Sequence, residues 1–254
     1  MIKKIALGML IMVLLAAAGF TAWASLINPI LPEAVAALQS DGQVQVEPQP
    51  AGGDWLVFSP AGEQAETGLI FYPGGRVDYR AYAPYARAVA SRGYLVVIPR
   101  MPLNLAVFKP NEAASIIQAY PEVRSWAVGG HSLGGAMAAN YAAQHPGEVQ
   151  ALVLLASYPA SSDDLSRSGL KVFSIYGLMD GLATEDKIEA SRPLLPSNTQ
   201  YVAIQGGNHA QFGDYGEQNG DHPAAISRAA QQAQAAAATV ELLESLGEVT
   251  GEEN

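Results

Sequence analysis

The 254-residue sequence predicts an α/β fold, with one mostly parallel sheet of eight strands, helices on both faces and no large cap domain. Three observations predict it. Extended segments rich in Val, Ile, Leu and aromatic residues recur along the chain with helical stretches between them, and Gly or Pro marks most of the junctions. The first two extended segments are polar enough to form an antiparallel start. The later ones are short, unbroken apolar runs of the kind that a parallel sheet buries on both faces.

Taken in order, Lys3 and Lys4 precede an uncharged apolar stretch from Ile5 to Ala24, about the ~20 residues that a transmembrane helix needs. Residues 1–24 therefore read as a signal anchor, with the Lys pair in the cytoplasm and the domain outside. The alternative is a cleaved signal peptide and a secreted domain, because Ala22-Trp23-Ala24 before Ser25 has the small-x-small pattern of a signal-peptidase site. A soluble core helix would carry a polar face, which this stretch lacks. Residues 25–40, with Pro29, Pro32 and Glu33, read as a linker holding a short helical turn.

A single domain is expected over residues 41–254. Strands are expected at Val44 to Glu47, Trp55 to Ser59, Leu69 to Tyr72, Tyr94 to Ile98, Trp126 to Gly129, Ala151 to Leu155, Lys171 to Tyr176 and Tyr201 to Ile204. Helices are expected at Ala81 to Ser91, Glu112 to Ala119, Gly134 to Gln144, Thr184 to Ser191 and Pro223 to Leu246. For the last, Asp221 or His222 reads as the cap and Pro223 as the first helical residue, where a missing N–H costs nothing. The acidic residues after Gly247 read as frayed.

Composition narrows the partners. A formal charge of −10, with 14 basic residues spread along the chain, argues against nucleic acid, which needs a dense basic patch. Small neutral or apolar substrates remain. The absence of cysteine excludes disulfides and thiolate metal sites. A monomer or small homo-oligomer is expected, and the sequence contains no internal repeat.

Gly130-His131-Ser132-Leu133-Gly134 fits the G-x-S-x-G pattern. A serine projected from a sharp strand-to-helix turn adopts strained backbone geometry and needs small neighbours. The apolar strand before it and the small-residue helix after it supply that context, which marks Ser132 as the candidate nucleophile. A serine hydroxyl needs a base. Of the four histidines, His131 adjoins the serine and is expected to point away, His145 ends a helix, and His222 reads as a cap. His209 follows the last strand through Gly206-Gly207-Asn208 at the carboxyl edge of the sheet, where open α/β folds bind ligands. The base needs a carboxylate to hold its tautomer. Asp180, beyond the strand Lys171 to Tyr176, is the choice and Asp214 its rival. Asp163 and Asp164 lie in a Ser-rich loop that reads as solvated. The oxyanion of a tetrahedral intermediate needs N–H donors. Leu133 is one, and Gly75 in Pro73-Gly74-Gly75-Arg76 is the second, with Arg76 next.

From about Asp41 the chain resembles the α/β-hydrolase superfamily, and within it a bacterial branch related to dienelactone hydrolases. Besides the serine turn, Phe71 to Gly75, Val97 to Ala106 and Gly206 to Gly216 are similar to blocks of that branch. The resemblance implies a carboxylic-ester or related acyl hydrolase, acting on a small-molecule ester with no metal or organic cofactor. Acyl transfer to an alcohol by the same residues and a non-catalytic binding protein are the alternatives. Dienelactone hydrolases proper use a cysteine nucleophile, which this chain lacks, so their substrate does not carry over. The lipase-type His-Gly-Gly-Gly loop is absent too. Only Ser157 to Leu170 occupies the place where many relatives insert a cap, which implies an open site. Met101 to Phe108 reads either as an acyl-side wall or as packing.

Overall fold

A computed structural model describes residues 2–48, 53–62 and 64–247. The tail after Gly247 lies outside them. Eight strands form one sheet: β1 (Val44–Pro48), β2 (Trp55–Pro60), β3 (Thr67–Tyr72), β4 (Leu95–Pro99), β5 (Ser125–His131), β6 (Ala151–Leu155), β7 (Lys171–Gly177) and β8 (Gln200–Ile204). Their order is β1-β2-β4-β3-β5-β6-β7-β8. β2 pairs antiparallel with β1 and β4, and every other neighbouring pair is parallel.

Seven α-helices are described: α1 (Ile2–Ser25), α2 (Pro32–Ala37), α3 (Ala83–Ala90), α4 (Glu112–Ala119), α5 (Leu133–Gln144), α6 (Glu185–Ser191) and α7 (Arg228–Gly247). Successive side chains on a strand face opposite ways, so each central strand feeds two cores. Leu69 and Phe71 join one core with Val89 of α3 and Leu242 and Leu243 of α7. Ile70 and Tyr72 join the other with Ile116 of α4 and Ala138 and Tyr141 of α5. Burial on both faces is why these strands read as unbroken apolar runs, and each fully buried aliphatic or aromatic side chain contributes about 1.5–3 kcal/mol. Between β6 and β7, residues 156–170 contain neither helix nor strand, so no large cap domain is inserted there.

Several expected boundaries need correction: β5 runs from Ser125 to His131 instead of Trp126 to Gly129, and β4 from Leu95 to Pro99 instead of Tyr94 to Ile98. β3 starts two residues earlier than expected, at Thr67, because Gly68 stands opposite Trp126 in the register; a Cβ there would lie 2.4 Å from the indole ring. The stretch expected as one helix from Ala81 divides into a 3-10 turn, Tyr79–Tyr82, capped by Asp78, and then α3 with Pro84 in its first turn. The last helix begins at Arg228, not Pro223. Neither Asp221 nor His222 caps it; Ser227 Oγ does, accepting the N–H of Ala230 at 3.2 Å.

α2, within the expected linker, packs on α3 with Ala34 and Ala37 buried. The Arg87 guanidinium holds it from below, donating to the Ala37 carbonyl at 3.0 Å and the Asp41 carboxylate at 2.7 Å.

Candidate active site

Ser132 stands between the end of β5 and the start of α5 with φ 52° and ψ −122°, a conformation that a residue with a Cβ adopts only at a cost of about 1–3 kcal/mol. Its surroundings impose that shape. The Ser132 N–H donates to the Leu155 carbonyl at 3.0 Å, and its own carbonyl accepts the Ser157 hydroxyl at 2.7 Å and the Ala136 N–H at 3.1 Å. The turn is sterically closed around glycine. A Cβ at Gly134 would lie 2.2 Å from the Tyr72 carbonyl oxygen, and one at Gly130 2.6 Å from the same atom.

β8 and the turn beyond it deliver His209. Its Nδ1 donates to Asp180 Oδ2 at 2.8 Å, and the two side chains are 2% and 0% exposed, so water does not compete for this bond. Asp180 is fixed in turn, since its Oδ1 accepts the N–H groups of Leu182 and Ala183, each at 2.7 Å. A carboxylate on Nδ1 holds the imidazole in the tautomer whose Nε2 is an acceptor. Nε2 of His209 is buried and has no hydrogen-bond partner among the described residues. His209 and Ser132 line one cavity of about 300 Å³ together with Leu133, Ser157 and Leu182.

The glycine loop after β3 packs against Leu133 of this cavity's wall, while Gly75 itself lines a separate cavity with Arg76 and Leu26. A Cβ at Gly75 would touch the Leu133 side chain at 2.9 Å, so these two peptides are neighbours. Among the described residues no backbone acceptor takes the N–H of Gly75 or of Leu133, which as the first residue of α5 has no intrahelical acceptor. Arg76, the expected runner-up, is different. Its N–H donates to the Asn104 carbonyl at 2.7 Å and is unavailable to a substrate. The rival carboxylate, Asp214, is also elsewhere. It accepts from Gln232 Nε2 at 2.7 Å, and burial raises its pKa above the ordinary carboxylate value.

The remaining histidines stand outside this cavity. His145 ends α5, stacked on Tyr141, and His222 is exposed in a loop. His131 is buried behind His209, with ring centroids 4.6 Å apart. Its Nδ1 accepts the Tyr82 hydroxyl proton at 2.8 Å, and that hydroxyl oxygen accepts the Gly74 N–H at 3.0 Å. Burial, and then the neighbouring His209, depress the pKa of His131 well below 6.5, so it is neutral at physiological pH. Asp163, expected to be solvated, is buried and accepts from Asn140 Nδ2 at 3.1 Å.

Two residues that the sequence reading did not single out for the site hold its loops. The Asp221 carboxylate accepts the N–H of Gly181 at 3.1 Å, of His222 at 2.9 Å and of Ala210 at 2.8 Å. Gly181 follows Asp180 and Ala210 follows His209, so one side chain ties the acid loop to the base loop. Gln231 of α7 grips the residue before His209 at both ends, accepting the Asn208 N–H at 2.9 Å and donating to the Asn208 carbonyl at 2.7 Å. Gln231 is one of three glutamines in an alanine-rich run, with Gln232 and Gln234, and nothing in the sequence separates it from the other two. Asp221 had no signal that separates it from a helix cap. No group of three or more His, Asp or Glu residues placed to hold a metal ion occurs among the described residues.

A sequence model of the alpha/beta hydrolase family matches residues 68–233, which hold Gly75, Ser132, Asp180, His209 and Asp221. No curated protein matches the chain. Among solved structures it is similar to a CIB-like hydrolase, so assigned by prediction, from Thermoplasma acidophilum, at 14% identity and TM-score 0.61, over 80% of this chain and 98% of that one. An esterase domain from Rhodothermus marinus gives 12% identity and TM-score 0.57 over 74% and 90%. A protein assigned as a dienelactone hydrolase from Klebsiella pneumoniae subsp. pneumoniae gives 14% and 0.59 over 80% and 98%. At such identities the likeness is one of fold.

Proposed function

This chain belongs to the alpha/beta hydrolase family, and on that premise we propose that it is a serine hydrolase that cleaves carboxylic esters or related acyl compounds. Ser132 is the nucleophile, His209 the base and Asp180 the residue that orients the base, with the N–H groups of Leu133 and Gly75 as oxyanion donors. The observation that carries this reading is the buried, unpartnered Nε2 of His209 in the same cavity as the strained Ser132.

In the reaction, Ser132 Oγ attacks the acyl carbonyl while its proton passes to His209 Nε2. The imidazolium is stabilised through Nδ1 by Asp180. Negative charge grows on the carbonyl oxygen, where two N–H groups with no backbone acceptor stabilise it; one such donor contributes about 2.7–4 kcal/mol of barrier lowering in a well-studied case. Collapse of the intermediate breaks the ester C–O bond, and the leaving alcohol takes the proton from His209. Water then attacks the acyl-enzyme by the same route and releases the acid. α1 serves as an uncleaved anchor with the domain outside the cytoplasm. The burial of Ala24 and the bond from Asn104 Nδ2 to its carbonyl at 3.4 Å support that part, since they tie the would-be cleavage site to the body.

Esterase assays with p-nitrophenyl esters of increasing chain length, together with labelling by a fluorophosphonate probe, test the reading. Ser132→Ala is expected to abolish labelling and lower kcat by roughly four to six orders of magnitude. Full activity in that variant would end the proposal.

A further inference from the structure

α1 is bare along most of its length, with Leu7 58%, Met12 67% and Leu15 67% exposed, and it is docked only at its foot. There Ala24 is fully buried, and Arg76 Nη2 donates to the Leu26 carbonyl at 2.7 Å. The Arg76 guanidinium also lies 4.4 Å from the Trp23 ring centre. Ala6–Ser25 is the stretch long and apolar enough to cross a membrane. At ~1.5 Å per residue it rises ~30 Å, the hydrocarbon thickness of a bilayer, so the outer boundary of that layer falls at the docked turn. Trp23 suits that depth, where tryptophans concentrate. Phe20, nearly one turn deeper, meets Phe108 edge to face at 6.1 Å between centroids. Phe108 therefore reaches hydrocarbon depth although it belongs to the body.

A second observation does not depend on α1. Apart from α1 and Leu26, the exposed large apolar side chains among the described residues are Val35, Val107, Phe108, Leu178 and Met179. All but Val35 lie beyond the carboxyl ends of strands, the first pair after β4 and the second after β7. In the strand order these two strands bracket β3, β5 and β6, so the apolar residues flank the Ser132 turn across ~19 Å, taking ~4.8 Å per strand. Arg100 and Lys109 line a cavity with Ser25 at the foot of the helix, each beside a carboxylate, Arg100 at 3.4 Å from Asp54 and Lys109 at 2.7 Å from Glu112. Arg76, docked on that foot, is covalently joined to Gly75.

From these placements we infer that the carboxyl edge of the sheet rests on the outer surface of the bilayer, and that the ester is an amphiphile drawn from the membrane instead of from solution. This rests on the Ser132 reading and on α1 as an anchor. Contact with lipid explains an apolar rim on an otherwise polar body and gives the open, uncapped cavity a cover that no described segment supplies.

The chain has no cysteine, so single spin labels can be placed without background. Phe108→Cys, Val107→Cys and Met179→Cys in the full chain, reconstituted in phosphatidylcholine vesicles, are compared with Glu66→Cys, an exposed position before β3 at the opposite edge of the sheet. The rim labels are expected to be shielded from a water-soluble nickel chelate and open to collisions with oxygen, and the label at 66 open to both. Rim labels as open to nickel as that at 66 would overturn the placement, and rim labels shielded from both reagents would too, since they would lie under a second copy. The labels need no turnover, so their result is independent of Ser132. For the substrate, wild-type protein is expected to hydrolyse a long-chain ester held in the vesicles faster than a short soluble one by roughly tenfold or more in kcat/KM. Equal or slower hydrolysis of the vesicle-held ester overturns the substrate class. Hydrolysis of neither ester counts against the esterase reading and leaves the placement to the labels.

Discussion

At the scale of single residues, the site depends on side chains that hold others. Asp221 reaches three N–H groups, two of them next to Asp180 and His209. Its loss leaves those donors unsatisfied and lets the two loops move apart, and a misplacement of about 1 Å costs about a hundredfold in rate. Asp221→Ala should therefore lower kcat/KM by roughly ten- to a hundredfold, with Asp221→Asn, which retains one acceptor oxygen, between the two; steady-state kinetics on a soluble ester decide it. His131 gives a pH signature. Its folded pKa is depressed, so below 6.5 the unfolded chain binds a proton that the native protein does not. The stability it contributes is complete above 6.5 and is lost as pH falls toward the folded value, at up to about 1.4 kcal/mol per pH unit. In urea titrations at pH 7.5 and 5.5, the stability gap between wild type and His131→Asn should narrow on acidification; a constant gap would contradict the assignment. The candidate set Ser132, His209 and Asp180 was legible because each follows the carboxyl end of a strand. Asp221 was not, because an Asp before His-Pro has the same local pattern whether it caps a helix or grips distant loops.

At the scale of elements, strands were more legible than helix ends. A strand buried on both faces must be apolar throughout, so β6 could be read to the residue, whereas the start of α7 depended on which polar group was free to cap it. Tertiary demand on Asp221 moved that start five residues along the chain. The β5–α5 junction is the element least able to change. A Cβ at Gly134 meets the carbonyl oxygens of Tyr72 at 2.2 Å and Pro73 at 2.4 Å, both backbone atoms that cannot rotate away. Gly134→Ala should thus destabilise by about 3 kcal/mol or fail to accumulate as folded protein. Gly42→Ala, where nothing lies within 4 Å, should stay within about 0.5 kcal/mol of wild type by thermal denaturation.

At the scale of the whole molecule, the architecture followed from burial alone, because two cores on one sheet require helices on both sides. The way α1 meets the body was not legible, since the contact of Trp23 with Arg76 joins residues that no periodicity relates. Global stability has a further consequence at the serine turn. A native protein is stable by only about 5–15 kcal/mol in total, and the left-handed backbone at Ser132 subtracts about 1–3 kcal/mol of it. Ser132→Gly relieves that conformation and should raise the melting temperature by a few degrees while removing the hydroxyl. Selection for heat resistance alone would thus discard this side chain early, so its persistence in the sequence would have to be maintained by turnover.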